Sequence, residues 1–174
     1  MKKRLIFIVV CIMVISLIPG GCKKKSATLT PQELGSDKEI YEKARAKMKR
    51  DGEKARLLFK EVMHLYPDSI YARRAKIGIA DSYYRQKDSG SLIMAASEYQ
   101  EYVNLFPNSP DAVYALYQVA LCYTRQIKKP GRDQSNTHQA IKALENMIRQ
   151  YPDTQEAEKA KAEIEKARLR LAQH

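Results

Sequence analysis

The amino-acid sequence predicts an all-α fold, a helical-repeat solenoid of about three helix pairs plus a terminal helix. Three observations predict it. Three segments end on the same stop: Tyr66-Pro67-Asp68-Ser69, Phe106-Pro107-Asn108-Ser109 and Tyr151-Pro152-Asp153-Thr154. Ahead of each stop, apolar residues recur at offsets of 4, 3 and 4, which line one face of a helix: Ala55, Phe59, Val62 and Tyr66, then Ala95, Tyr99, Tyr102 and Phe106, then Ala140, Leu144, Met147 and Tyr151. Finally, 174 residues with only seven Gly and seven Pro leave room for long helices.

The chain opens on something else. Lys2-Lys3-Arg4 make a short cationic segment, and residues 5–18, LIFIVVCIMVISLI, carry no charge. As a helix they would be about 21 Å long, short of the ~30 Å hydrocarbon core of a bilayer. That length suits the apolar region of a signal peptide. Pro19-Gly20-Gly21 then break the helix with small residues and lead into Cys22. A peptidase needs an extended, small-residue segment at the scissile bond, and the thiol that follows can carry a diacylglycerol. The stretch resembles a bacterial lipobox, with Pro19 where that motif usually has Leu. Residues 1–21 are therefore expected to be a lipoprotein signal peptide and Cys22 the lipid-attachment site. The lysines after Cys22, with no Asp among them, look like the pattern that lets such lipoproteins move on to the outer membrane.

Residues 22–36 read as a lipidated flexible tether. KKKSATLTPQELGS is polar, contains a Pro and a Gly, and shows no helical period. Fully extended it reaches about 45–50 Å, and Lys23, Lys24 and Lys25 can touch anionic headgroups. With Cys11 in the signal peptide and Cys22 blocked by lipid, Cys122 is the one thiol left, so no disulfide forms within the chain. It lies on a strongly apolar helix face and is expected to be a buried core thiol.

Residues 37–174 are expected to be the helical domain. Pro after the aromatic stops each helix, and Asp, Asn, Ser or Thr beyond it can cap the next. The following helices match as well: Ala72, Ala75, Ile79, Ala80 and Tyr83 correspond to Ala112, Ala115, Val119, Ala120 and Tyr123, and Arg85-Gln86 to Arg125-Gln126. The unit is thus helix, turn, helix, stop. Its small Ala positions let helices approach closely, and its apolar face is buried only by stacking on neighbours. Ile79, Ala80, Tyr83, Ala95, Tyr99 and Pro107 resemble the tetratricopeptide pattern L-G-x2-Y…A-x3-F…P. The stops are 40 and 45 residues apart, against about 34 for that pattern. The excess is expected in the turns within pairs, around residues 86–91 and 127–137. The last two helices are predicted over 139–151 and 155–173, the final one carrying a thin stripe of Ala157, Ala160, Ile164, Ala167 and Leu171.

The order of these features resembles a known family. A lipobox, a short polar tether, a first repeat running from Ile40-Tyr41 to Tyr66-Pro67 and a second containing Asp81-Ser82-Tyr83-Tyr84 resemble the BamD family, also called YfiO or ComL. Gly131-Arg132-Asp133-Gln134-Ser135 is similar to the extended loop of that family's third repeat, and residues 169–174 resemble the helix that opens the next. The resemblance implies a lipoprotein of the β-barrel assembly machinery, anchored in the outer membrane and facing the periplasm. Such a scaffold binds unfolded outer-membrane proteins and partner subunits. Family members continue for about two more helical pairs, which dock the central barrel-forming subunit, whereas this chain stops after the first helix of a fourth pair. Repeats alone also allow a periplasmic tetratricopeptide adaptor for cell-envelope or cell-division proteins.

In such solenoids the first helices of the pairs line the concave side. The positions flanking their core residues present Tyr41 and Arg45, then Arg74, Ile77, Asp81 and Tyr84, then Tyr114, Tyr117, Leu121 and Arg125. Tyrosine offers a rigid ring with a polar tip and arginine a planar fork for carboxylates. A groove of this chemistry suits an extended peptide with aromatic side chains and a free carboxylate, which fits the aromatic C-terminal signal that the family resemblance implies.

Other function classes find little support. Formal charge is +11, three of it from Lys2, Lys3 and Arg4, and such a balance suits anionic lipid, acidic proteins or nucleic acid. Export and the interspersion of bases with acids argue against nucleic acid. His64, His138 and His174 are isolated, with His138 near the end of a loop, and none has partners at metal-ligand spacing. No P-loop, G-x-S-x-G or H-E-x-x-H occurs. The expectation is a protein-binding scaffold tied to a membrane, with no enzymatic activity, metal, cofactor or small-molecule substrate.

Overall fold

A computed structural model describes residues 35–129 and 132–173, all within one compact unit, Pro31–His174. The signal peptide, Cys22, nearly all of the tether, Gly131 and His174 lie outside the described residues. Among the described residues seven helices follow one another: α1 (Asp37–Lys47), α2 (Gly52–Leu65), α3 (Ile70–Gln86), α4 (Ser89–Leu105), α5 (Pro110–Thr124), α6 (Ser135–Gln150) and α7 (Gln155–Ala172). Each packs on the next along the chain, and α1 also touches α3 as α5 touches α7. This is the expected architecture of three pairs and a terminal helix.

The three stops are nearly superimposable. Tyr66, Phe106 and Tyr151 end α2, α4 and α6 at φ/ψ of −134/58, −133/57 and −136/62. The proline that follows each aromatic excludes the helical ψ. Ser69, Ser109 and Thr154 then cap α3, α5 and α7, their hydroxyls accepting from the amides of Tyr71 (3.0 Å), Asp111 (3.3 Å) and Ala157 (3.2 Å). These caps satisfy amides that a helix start otherwise leaves without a partner.

The turn inside the second pair falls within the stretch the sequence marked, at Lys87 and Asp88, but is much shorter than expected. Residues 86–91 are not all loop: α3 runs through Gln86 and α4 starts at Ser89. Lys87 takes the left-handed conformation (φ 65°), and the Asp88 carboxylate accepts from the Ser91 amide at 2.9 Å. That cap holds Ser89, Gly90 and Ser91 as a first helical turn despite their loop-forming composition. The extra residues of this repeat therefore lengthen α3 and α4 to 17 residues each. The third turn is long, as expected, but α6 begins at Ser135 instead of 139, because Asp133 accepts from the Ser135 amide at 2.9 Å. His138 is thus in a helix, exposed, and not in the loop.

The repeated face forms the core. Ala55, Phe59, Val62, Ala95, Tyr99, Tyr102, Ala140, Leu144 and Met147 are fully buried. They meet the small residues of the following helices, such as Ala75, Ala115 and Ala160. The stop aromatics are half-buried and tie their stops to the preceding part of the same edge: Tyr66 donates to the Gly35 carbonyl ahead of α1 (3.0 Å) and Tyr151 to that of Pro107 in the second stop (2.8 Å). Cys122 is buried, and burial pushes its thiol up to about 12.

Alternation of direction sorts the turns onto two edges. The three stops lie on one. The turns within pairs lie on the other, joined by Ser82, which donates to the Gly52 carbonyl (3.1 Å), and by Ser89, which donates to the Gln126 amide oxygen (3.1 Å).

Candidate functional site

The candidate residues lie on α1, on α3 and on or at the end of α5, and they fall into separate groups. Between α1 and α3 lies a recess of about 280 Å³ lined by Tyr41, Arg45, Lys49, Phe59, Arg74, Ile77, Asp81 and Arg85, among others. The Tyr41 ring packs against Phe59 (5.6 Å between centroids) and Tyr71 (5.4 Å). Arg45 lies over Tyr41 at 5.9 Å, and Arg74 over Tyr71 at 5.8 Å. Burial raises the Tyr41 hydroxyl above its ordinary pKa, against the pull of Arg45 and Arg74. The recess therefore combines an aromatic floor with several cations. Arg45 is 3.4 Å from the exposed Glu42, whereas Arg74 and Arg85 have no ion-pair partner among the described residues.

The second group joins α3 to α5. Arg125 stacks its guanidinium over the Tyr84 ring at 4.1 Å, so this cation is already engaged by the protein. Asp81 accepts from the hydroxyls of Tyr99 on α4 (2.5 Å) and Tyr114 on α5 (2.8 Å), both at Oδ1. Tyr99 and Tyr114 cross edge-on at 6.1 Å. Burial raises the pKa of both tyrosines, with the Asp81 charge adding to it. Tyr117 lies apart from the recess, on the far side of the second group, where it also feels Tyr84. It is half-buried on α5 and feels Glu163 and Lys166 of α7, so it is not brought together with Tyr41 or Arg74.

Asp81 yields a pH prediction. Burial raises its carboxyl above the ordinary value of 3.8, although both tyrosine hydrogen bonds and Arg85 oppose it. The folded chain thus holds this proton to a higher pH than the unfolded chain does. Its contribution favours the fold below the unfolded pKa and is lost as pH rises through the folded one. Urea titrations from about pH 4 to 7 should therefore show a flatter stability–pH slope in Asp81→Asn than in wild type; an unchanged slope would remove Asp81 as its source.

Arg85 and Lys49 were not among the candidates drawn from sequence. Arg85 had a signal: it aligns with Arg125 in the repeat register, and that equivalence places it on the same face. Lys49 had none, because it sits in the irregular turn after α1, where no period applies.

Comparison with known proteins places this geometry in context. A family model, YfiO, described as "Outer membrane lipoprotein", matches residues 34–174. The chain is 33% identical over 114 residues to the outer membrane protein assembly factor BamD of Caulobacter vibrioides, covering 66% of this chain and 36% of that protein. It is 27% identical over 156 residues to the assembly factor of the same name from Rickettsia prowazekii, covering 84% and 57%. The chain therefore spans between about a third and somewhat over half the length of these relatives.

Proposed function

This chain belongs to the YfiO family of outer membrane lipoproteins, and we propose that it is a scaffold of β-barrel protein assembly. It is anchored in the outer membrane through Cys22 after removal of residues 1–21, and residues 22–36 tether the helical domain in the periplasm. There it binds unfolded outer-membrane proteins and partner subunits of the assembly machinery. The names of its relatives, outer membrane protein assembly factors, support the process. Support for the binding comes from one observation, the recess between α1 and α3.

In that recess a peptide's terminal aromatic ring stacks on Tyr41 while its α-carboxylate meets the unpaired forks of Arg74 and Arg85. Arg–carboxylate pairs are bidentate and roughly twice as strong as neutral hydrogen bonds. Asp81 also lines the recess and offsets part of its positive charge, chiefly that of Arg85, while its Oδ1 is held by Tyr99 and Tyr114. Arg125, stacked on Tyr84, instead stiffens the α3–α5 side.

The test is fluorescence anisotropy with a labelled peptide ending in an aromatic residue and a free carboxylate. Arg74→Ala should weaken binding about tenfold, the scale of one charged hydrogen-bonded pair. Amidating the peptide's C-terminus should cost wild type a similar factor and cost the variant little more. Equal binding of free and amidated peptides would sink this reading of the recess.

A further inference from the structure

The edge that carries the turns within pairs is basic, and the edge that carries the stops is acidic. On the first edge, the α1–α2 turn and its flanks hold Lys47, Lys49, Arg50 and Lys54; all are exposed, and none is ion-paired among the described residues. The α3–α4 turn adds Arg85 and Lys87, and the α5–α6 turn adds Lys129 and Arg132, likewise exposed and unpaired. Lys128 in that last turn is only loosely matched by Asp133, at 3.9 Å. On the opposite edge, the stops and the helix starts beside them carry Asp37, Glu39, Asp68, Asp111, Asp153 and Glu156. Asp51, Glu53, Asp88 and Asp133 also lie along the first edge, and Lys38, Arg73 and Lys159 along the second, so alternating helix direction leaves each edge with a surplus of one sign.

We propose that the basic edge rests on the headgroups of an anionic phospholipid bilayer, which fixes how the domain faces the membrane that anchors it. The inference rests on the lipid-anchored reading above. The form of the charge supports it independently. The cations sit in the turns of three successive pairs; Lys49 and Arg85 also reach the recess between α1 and α3, whereas the others line no described recess, and most of those in the first turn are lysines, point charges on flexible stems. Such an array suits a diffuse anionic plane better than a defined carboxylate, for which the Arg74 recess is the structured receptor. The acidic edge, repelled by the same plane, turns away from it. Reach permits this orientation. The domain begins at the acidic edge, and the longest helices, of 17 residues, span about 26 Å. The residues between Cys22 and the first helix can extend to about 45 Å.

The test uses the chain from residue 22 onward with Cys22→Ser, so that no acyl chain contributes, in co-sedimentation with vesicles. One set is phosphatidylcholine alone and the other contains about a third phosphatidylglycerol. We expect binding to the anionic vesicles only, falling steeply with salt. At roughly fivefold per basic residue near a charged leaflet, Lys47→Gln, Lys49→Gln, Lys87→Gln and Lys129→Gln together should weaken binding at least tenfold. Neutralising Lys38, Lys60, Lys142 and Lys159, which lie off this edge, should change it little, and unchanged melting curves would show that both variants fold. Equal binding to both vesicle types would overturn the proposal. So would equal loss from the two variants, or loss only on neutralising Lys23, Lys24 and Lys25. Edge-dependent binding to poly-glutamate with none to vesicles would assign the edge to an acidic protein and also overturn it. Membrane fractionation of the unmutated chain tests the anchor separately: a chain still held in membranes while the vesicle assay fails loses this orientation but keeps its anchor.

Discussion

Replacing Glu98 and Glu101 together by Gln should destabilise the domain by about 2–3 kcal/mol, and adding Lys76→Met should restore most of that loss. Lys76 is the charged residue buried in the interface between α3 and α4, 8% exposed. Its ammonium lies 3.0 Å from Glu98 and 2.7 Å from Glu101. Burial alone would lower its pKa, but hydrogen bonds to the two carboxylates more than offset this and leave it above the ordinary value of 10.5. Removing both carboxylates leaves a largely buried ammonium without a charged partner, and its incomplete solvation is the cost. The figure sits below that of a fully enclosed pair because the Glu101 side chain is 54% exposed. With Met in place of Lys76 no buried charge remains to be satisfied. Since the folded pKa is raised, the contribution of Lys76 is fully present below the unfolded value and lost only as pH rises through the folded one, so urea titrations near neutral pH measure it whole. A triple variant no more stable than the double would show that the ion pairs themselves, not burial of a lone charge, set the effect.

Gly78→Ala should cost about 2 kcal/mol, although alanine is the better helix former by ~1 kcal/mol. A methyl group at this position would lie 2.5, 2.7 and 2.8 Å from Cζ, Cε2 and Cε1 of Phe59. The Phe59 ring is 0% exposed and lies against Tyr41, so it has nowhere to withdraw. Overpacking of this kind typically costs ~1–3 kcal/mol, and contact with three ring atoms at once places it toward the upper end. Phe59→Leu removes those ring atoms. Combined with Gly78→Ala it should be less destabilising than the sum of the two single changes, a coupling that a double-mutant cycle in urea reads directly. Strict additivity would show that Gly78 is required for some other reason. Because Phe59 and Gly78 also line the recess, Gly78→Ala should weaken the aromatic peptide as well.

The helical pattern was legible because it is local. The matched positions Ala55/Ala95/Ala140 and Phe59/Tyr99/Leu144 are all buried, since a 3.6-residue period and a stack of similar units leave that face no other place. The stops were legible for the same reason: a proline acts on the residue before it and a hydroxyl on amides two or three residues ahead. The second turn is shorter than expected because composition and capping disagreed there. Ser89, Gly90 and Ser91 favour a loop on their own, yet the Asp88 cap beside them starts a helix. Of the recess, Tyr41, Arg45, Arg74 and Ile77 could be named from their place beside core positions, whereas Lys49 could not.

By itself, then, the sequence determined the repeat, its register, the buried face, the helix stops and the family, because each is written in residues a few positions apart. Only the tertiary structure decided that Phe59 needs a glycine at 78, that Lys76 is buried between two carboxylates 22 and 25 positions onward, that Asp81 is held by Tyr99 and Tyr114, and that cations scattered along the chain gather on one edge. Each of these depends on which side chains of separate helices meet, and helix length, crossing and direction settle that, not the spacing within any one helix.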